Sequence, residues 1–119
     1  MGYIMFMVTT FDALSDATRR RILDLLREKP RLVGELVDTL EMSQPGISKH
    51  LKVLREAGLV NVRQDAQRRW YELRTEPLAE LDEWLKPYRH LWLERFDRLD
   101  DYLRELQASE DEANSSDDE

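Results

Sequence analysis

The sequence predicts a mainly α-helical domain with one small β-hairpin, and three observations carry that prediction. Apolar residues return every three or four positions over most of the chain, as helices facing a core require. Between Leu59 and Leu73 the pattern changes to alternating β-branched and aromatic residues around a polar turn, Asp65-Ala66-Gln67. The chain has 119 residues and no cysteine: enough for one domain with a modest core, and unable to form disulfides, thiolate metal sites or thiol redox sensors.

Residues 1–10 are too apolar for a solvated tail, with Ile4, Phe6 and Val8 alternating against Tyr3, Met5 and Met7. They fit a dimer contact or packing on the C-terminal helix, or residues foreign to the natural protein. The segment lacks a positively charged leader and is far shorter than a membrane span, so the chain reads as cytoplasmic. Phe11 to Glu28 reads as the first helix, with Ala17, Ile22, Leu25 and Leu26 on its inner face and Ser15 and Asp16 suited to capping. Arg19, Arg20 and Arg21 are better read as partners of nearby carboxylates than as phosphate ligands. Pro30 ends this helix.

Val33, Leu36, Val37 and Leu40 then mark a short second helix. Gly34 lies inside it at a cost of about 1 kcal/mol relative to alanine, which suggests close approach to a neighbouring helix or to nucleic acid. After Glu41-Met42, Ser43 stands where a hydroxyl caps the amides of a third helix, and Pro45 falls in its first turn, where the missing N–H is harmless. On this helix, residues 43–57, Ile47, Leu51 and Leu54 form the inner stripe. Pro45, Ser48, Lys49 and Lys52 lie opposite, with Gln44 at the margin. Two helices joined by a tight turn, the second presenting small polar and cationic groups, meet the requirement for reading a DNA major groove.

Gly58 supplies a left-handed stop to that helix. The hairpin of residues 59–73 follows, with Arg63, Arg68 and Arg69 near its tip, placed to lie along phosphates. The run Ser43-Gln44-Pro45-Gly46-Ile47-Ser48-Lys49-His50-Leu51, with Leu54-Arg55-Glu56-Ala57-Gly58-Leu59-Val60 and Arg69-Trp70-Tyr71, resembles the winged helix-turn-helix of ArsR-type transcriptional repressors. Phe11-Asp12-Ala13-Leu14-Ser15-Asp16-Ala17-Thr18-Arg19-Arg20-Arg21-Ile22-Leu23 resembles that family's opening helix. The resemblance covers roughly residues 11–75 and implies a dimeric DNA-binding repressor. Two turn positions depart from the pattern: Glu41 where relatives often have glycine, and Asp65-Ala66 where Asp-Gly is more usual.

The domain organisation read from the chain is an N-terminal segment 1–10, a winged helix-turn-helix 11–76, a C-terminal helix 77–107 and a disordered acidic tail 108–119. The C-terminal helix is capped by Thr75 or Glu76 and expected to kink or break near Trp84 to Lys86, because Pro87 removes a helical hydrogen bond. Its stripe of Leu81, Leu85, Tyr88, Trp92, Phe96, Leu99 and Leu103 is wider than a small winged helix can cover. Burial against the same helix of a second copy, with help from the N-terminal helix, would give a twofold dimer. Two reading helices would then stand one DNA turn apart, about 34–36 Å, over an inverted-repeat operator. Beyond Ser109 no large apolar residue remains to offset the entropy of ordering.

The net charge of −7 argues against nucleic acid only until it is located. Glu110, Asp111, Glu112, Asp117, Asp118 and Glu119 account for −6 of that net charge, leaving −1 over residues 1–108. From Ser43 to Leu73, Lys49, Lys52, Arg55, Arg63, Arg68 and Arg69 oppose only Glu56, Asp65 and Glu72, a net +3. The resemblance also raises metal sensing, for which His90, Glu94, Asp97 and Asp101 on the C-terminal helix are the available ligands. A second histidine is missing there, and the expectation is no metal and no cofactor. No glycine-rich phosphate loop or nucleophile–histidine pairing suggests an enzyme.

The functional expectation is a homodimeric, sequence-specific repressor. Gln44, Ser48 and Lys49 would reach base edges, while Ser43, Lys52, Arg63, Arg68 and Arg69 hold phosphates. The competing readings are a winged-helix protein-interaction module with weak non-specific DNA binding, and a metal-responsive repressor using the C-terminal ligands.

Overall fold

The computed structural model describes residues 9–117. Residues 1–8, the greater part of the apolar N-terminal segment, and 118–119 lie outside the described residues. The described residues divide into two units, with the boundary between Leu81 and Asp82.

In the first unit, helix α1 covers residues 9–14 and α2 spans Ala17–Glu28. The single helix expected over Phe11 to Glu28 is therefore two. The interruption at Ser15-Asp16 has a local cause, since the Asp16 carboxylate accepts the backbone N–H of Arg19 at 3.0 Å and begins a new helix, while Ser15 Oγ donates to the Asp12 carbonyl at 2.6 Å. α3, Val33–Leu40, and α4, Gln44–Glu56, follow the apolar spacing read above. α3 ends on Glu41, which takes the left-handed conformation at φ 54° without the glycine usual at such a stop.

The antiparallel hairpin pairs β1, Val60–Asp65, with β2, Arg68–Leu73. Val60 faces Leu73 and Val62 faces Tyr71, so the apolar residues share the inner side. Ala66 turns the tip at φ 55°, and Gly58 leaves α4 at φ 75°. A contact absent from the sequence reading fixes the hairpin's far edge: the Arg31 N–H donates to the Tyr71 carbonyl at 3.0 Å, and the Tyr71 N–H donates to the Arg31 carbonyl at 2.8 Å.

The core gathers one stripe from each element. Ile22, Leu36, Ile47, Leu51, Leu54 and Leu59 are fully buried, with Leu26, Val60 and Tyr71 beside them. Each such aliphatic contributes about 1.5–3 kcal/mol by leaving water. Gly34 has no heavy atom within 4 Å of where a Cβ would stand, so the expected close approach to a neighbouring helix is absent.

α5 runs Glu76–Asp117. Its first turn belongs to the first unit, with Pro77 fully buried and Leu78 packed on the core. In the second unit the helix continues through Pro87 where a break was expected. Pro87 removes a single donor, and the strong helix formers on both sides keep the remaining bonds. It also runs past Gln107 into the acidic segment expected to be disordered, where no proline or glycine intervenes and Ala108, Glu110, Glu112 and Ala113 favour helix.

Candidate nucleic-acid interface

The site is organised by the start of α4. Ser43, extended at ψ 151°, accepts the Gly46 N–H on its hydroxyl at 3.2 Å, and Pro45 sits in the first turn. This cap fixes where the helix begins and therefore which side chains face outward. Ile47, Leu51 and Leu54 turn to the core, while Ser43, Gln44, Pro45, Ser48, Lys49 and Lys52 are all exposed. Lys49 and Lys52 have no ion pair among the described residues. The outer face offers two uncompensated cations, an amide and a hydroxyl from a rigid helix, the chemistry that base edges and phosphates accept.

The helix is held by a polar cluster that the sequence reading only touched. Arg19 donates from Nε to the Ala13 carbonyl at 2.8 Å and from Nη2 to the Asp12 carbonyl at 2.9 Å, capping the end of α1, and its Nη1 lies 3.4 Å from His50 Nδ1 on α4. Arg20 donates to the Leu14 carbonyl at 2.7 Å. These two arginines satisfy helix-end carbonyls, neither pairing with carboxylates nor reaching out as phosphate ligands. Asp16 stands 4.0 Å from His50. The Arg19 N–H bonded to the Asp16 carboxylate holds its pKa below the usual aspartate range, and the nearby His50 and Arg19 charges act in the same direction. His50 is thus a packing and hydrogen-bonding residue at the edge of the buried stripe.

On the hairpin the three arginines differ. Arg63 Nε donates to Glu72 Oε1 at 2.6 Å, an ion pair reaching diagonally across the strands. Its charge is compensated before any ligand arrives. Arg68 and Arg69 are exposed and have no ion pair among the described residues. Glu72 was counted in the charge balance, but its pairing with Arg63 was missed. Its signal was the hairpin register, which sets Asn61 opposite Glu72 and Arg63 opposite Trp70, within diagonal reach.

A cleft of about 350 Å³ opens at the foot of the hairpin, lined by Gly58, Val60, Asn61, Arg74, Glu76, Pro77 and Glu80. Arg74 and Glu76, both in its lining, pair at 3.0 Å. The Glu76 carboxylate is held below its ordinary pKa by its own backbone N–H and by the Arg74 guanidinium.

In the second unit, His90 Nε2 lies 3.4 Å from Glu94 Oε1, and both are exposed. Among the described residues no three His, Cys, Asp or Glu side chains are grouped to hold a metal ion. The expected dimer residues Tyr88, Trp92, Phe96, Leu99 and Leu103 are exposed in the single chain, and Leu81 and Leu85 are half-buried.

Residues 16–62 match the family model for bacterial regulatory proteins of the arsR family. The chain is 35% identical over 79 residues to the transcriptional repressor SdpR of Bacillus subtilis, covering 66% of this chain and 88% of that protein. The crystal structure of an ArsR family transcriptional regulator, RHA00566, superposes with a TM-score of 0.66 at 30% identity, covering 73% of this chain and 96% of that one. The homodimeric winged helix-turn-helix DNA-binding domain of Mb0332 from Mycobacterium bovis superposes with a TM-score of 0.63 at 26% identity, covering 79% of this chain and 87% of that one. Capped reading helix, hairpin wing and sequence likeness converge, and the chain belongs to the ArsR family of winged helix-turn-helix transcriptional regulators.

Proposed function

We propose that the protein is a homodimeric transcriptional repressor, cytoplasmic and without enzymatic activity, that binds an inverted-repeat DNA operator through α4 and the hairpin wing. The observation that carries this reading is the outer face of α4, where exposed Gln44, Ser48, Lys49 and Lys52 stand opposite the buried Ile47, Leu51 and Leu54. Gln44 presents an amide suited to the paired acceptor and donor of adenine, and Lys49 a donor suited to guanine. Ser43, Lys52, Arg68 and Arg69 hold phosphates, with Arg63 joining them once Glu72 releases it. Among the described residues no helix is long and apolar enough to cross a membrane, which accords with a DNA-bound role. The dimer rests on the exposed apolar stripe of α5 and on the homodimeric state of Mb0332.

Selection of bound fragments from a random DNA library at physiological salt, with the molecular mass measured in parallel, tests the proposal. A palindromic motif with half-sites about one helical turn apart and a dimer mass is the expected result. Salt-labile binding without a motif would overturn the repressor reading in favour of an interaction module.

A further inference from the structure

We infer that the cleft at the foot of the hairpin binds a small organic cation, a primary ammonium group carried on a short apolar body. The inference stands apart from the DNA-binding reading and uses none of the residues proposed to touch DNA.

Its first support is shape. The cleft lies wholly within the first unit, and its volume of about 350 Å³ is of the size that small-ligand sites take. Three elements meet around it: Gly58 where the chain leaves α4, Val60 and Asn61 at the start of β1, and Glu76, Pro77 and Glu80 in the first two turns of α5. Val60 and Pro77 supply an apolar wall. A Cβ at Gly58 would stand 3.7 Å from Pro77 Cγ, so a larger residue there would fill the space that glycine leaves open.

The second support is an unmet hydrogen bond. Asn61 Oδ1 is shut off from solvent and has no donor among the described residues. An acceptor left in that state is a standing cost that any well-placed donor relieves. Asn61 lines the cleft, and an asparagine amide turns about a soft terminal torsion. An N–H seated in the cleft is therefore the donor this residue lacks.

Charge completes the case. The lining holds Arg74, Glu76 and Glu80, a net −1. Arg74 donates to both carboxylate oxygens of Glu76, at 3.0 and 3.3 Å, so these two cancel. Glu80, one helical turn further along α5, is exposed and has no ion pair among the described residues. An anion would meet that carboxylate uncompensated. A hard metal ion needs several free oxygen ligands, and among the described residues no three His, Cys, Asp or Glu side chains are grouped to hold one. An ammonium group brings positive charge for Glu80 and three donors, one of them for Asn61, while its apolar body covers Val60 and Pro77.

Titration of the isotopically labelled full chain with benzylammonium, followed by two-dimensional proton–nitrogen NMR, tests the site. Saturable shifts should centre on the backbone amides of Gly58, Asn61, Glu76 and Glu80 and on the Asn61 side-chain amide. Benzyl alcohol and benzoate, of the same shape without the positive charge, should bind several-fold more weakly. Equal binding by either would overturn the cationic class, and shifts that are absent, or spread along the apolar stripe of α5, would overturn the site. Glu80→Gln should weaken benzylammonium about threefold to fivefold, as loss of an exposed ion pair does; an unchanged affinity would remove Glu80 from the site. Asn61→Leu, close to it in shape, should weaken binding while leaving the thermal midpoint of the free protein unchanged or higher, because an unpartnered acceptor is lost. A lower midpoint in the free variant would show that the carbonyl already has a partner and overturn its role.

Discussion

Replacing Arg68 by alanine removes a guanidinium at the wing tip that is exposed and unpaired among the described residues, so nothing in the chain compensates the loss. If it holds a phosphate, each protomer releases one fewer counterion on binding. A dimer then loses two contacts, and the slope of log affinity against log salt flattens by about 1.8. Between 50 and 200 mM salt, a fourfold change, the advantage of the native protein over the variant should shrink by about twelvefold. Fluorescence anisotropy of a labelled operator over that salt range measures the slope, and a scrambled duplex of equal length measures preference. Arg63→Ala supplies the internal comparison. Its guanidinium already pairs with Glu72 at 2.6 Å, so DNA must displace a carboxylate to gain it, and the slope should change by less than half as much. An unchanged slope for Arg68→Ala, a larger change for Arg63→Ala, or lost operator preference in either would refute the division between positioning wing and reading helix.

Gln44→Ala should relax preference at one base pair of each half-site by about 1–3 kcal/mol while leaving the salt slope alone, as competition between single-base operator variants would show. Ser43→Ala removes the hydroxyl that accepts the Gly46 N–H and should cost about 1 kcal/mol, lowering the thermal midpoint by several degrees in calorimetry. Glu41→Gly relieves the left-handed backbone at φ 54° and should raise stability by about 0.5–1 kcal/mol in urea unfolding, with m unchanged. Asp16 has its pKa lowered in the folded state, so its contribution to stability is complete above the ordinary aspartate value and is lost as pH falls through the folded one. The gap in thermal midpoint between native protein and Asp16→Asn should therefore be constant near neutrality and close below about pH 4; a gap that persists in acid would assign the effect to packing.

The helix-turn-helix was legible because its signals are local. The three- and four-residue spacing of Val33 to Leu40 and of Ile47 to Leu54, the Ser43 cap and the Gly58 stop act through side chains within one turn of the backbone they control, and each appears where its chemistry places it. The two polar turns were legible as turns. That Glu41 and Ala66 would both accept left-handed backbone was not, because the surrounding helices and strands impose a conformation their own preferences oppose.

Asp16 could be read as a cap, but not as the break that divides α1 from α2, since Arg19 and Arg20 stabilise that break by reaching back to carbonyls six and seven residues upstream. The proline in α5 showed the opposite error: a local breaker was overridden by a long run of strong helix formers on either side.

From the sequence alone came the position of the capped helix α4, the sign and place of its charge, and the apolar stripe of α5, all properties of residues near one another along the chain. The tertiary structure decided which charges are free to act. Arg19 and Arg20 are consumed by helix ends, Arg63 by Glu72 across the hairpin, and Lys49, Lys52, Arg68 and Arg69 are left open among the described residues. A residue's charge is written in the chain, but whether it is already neutralised depends on which distant group the fold brings within about 4 Å.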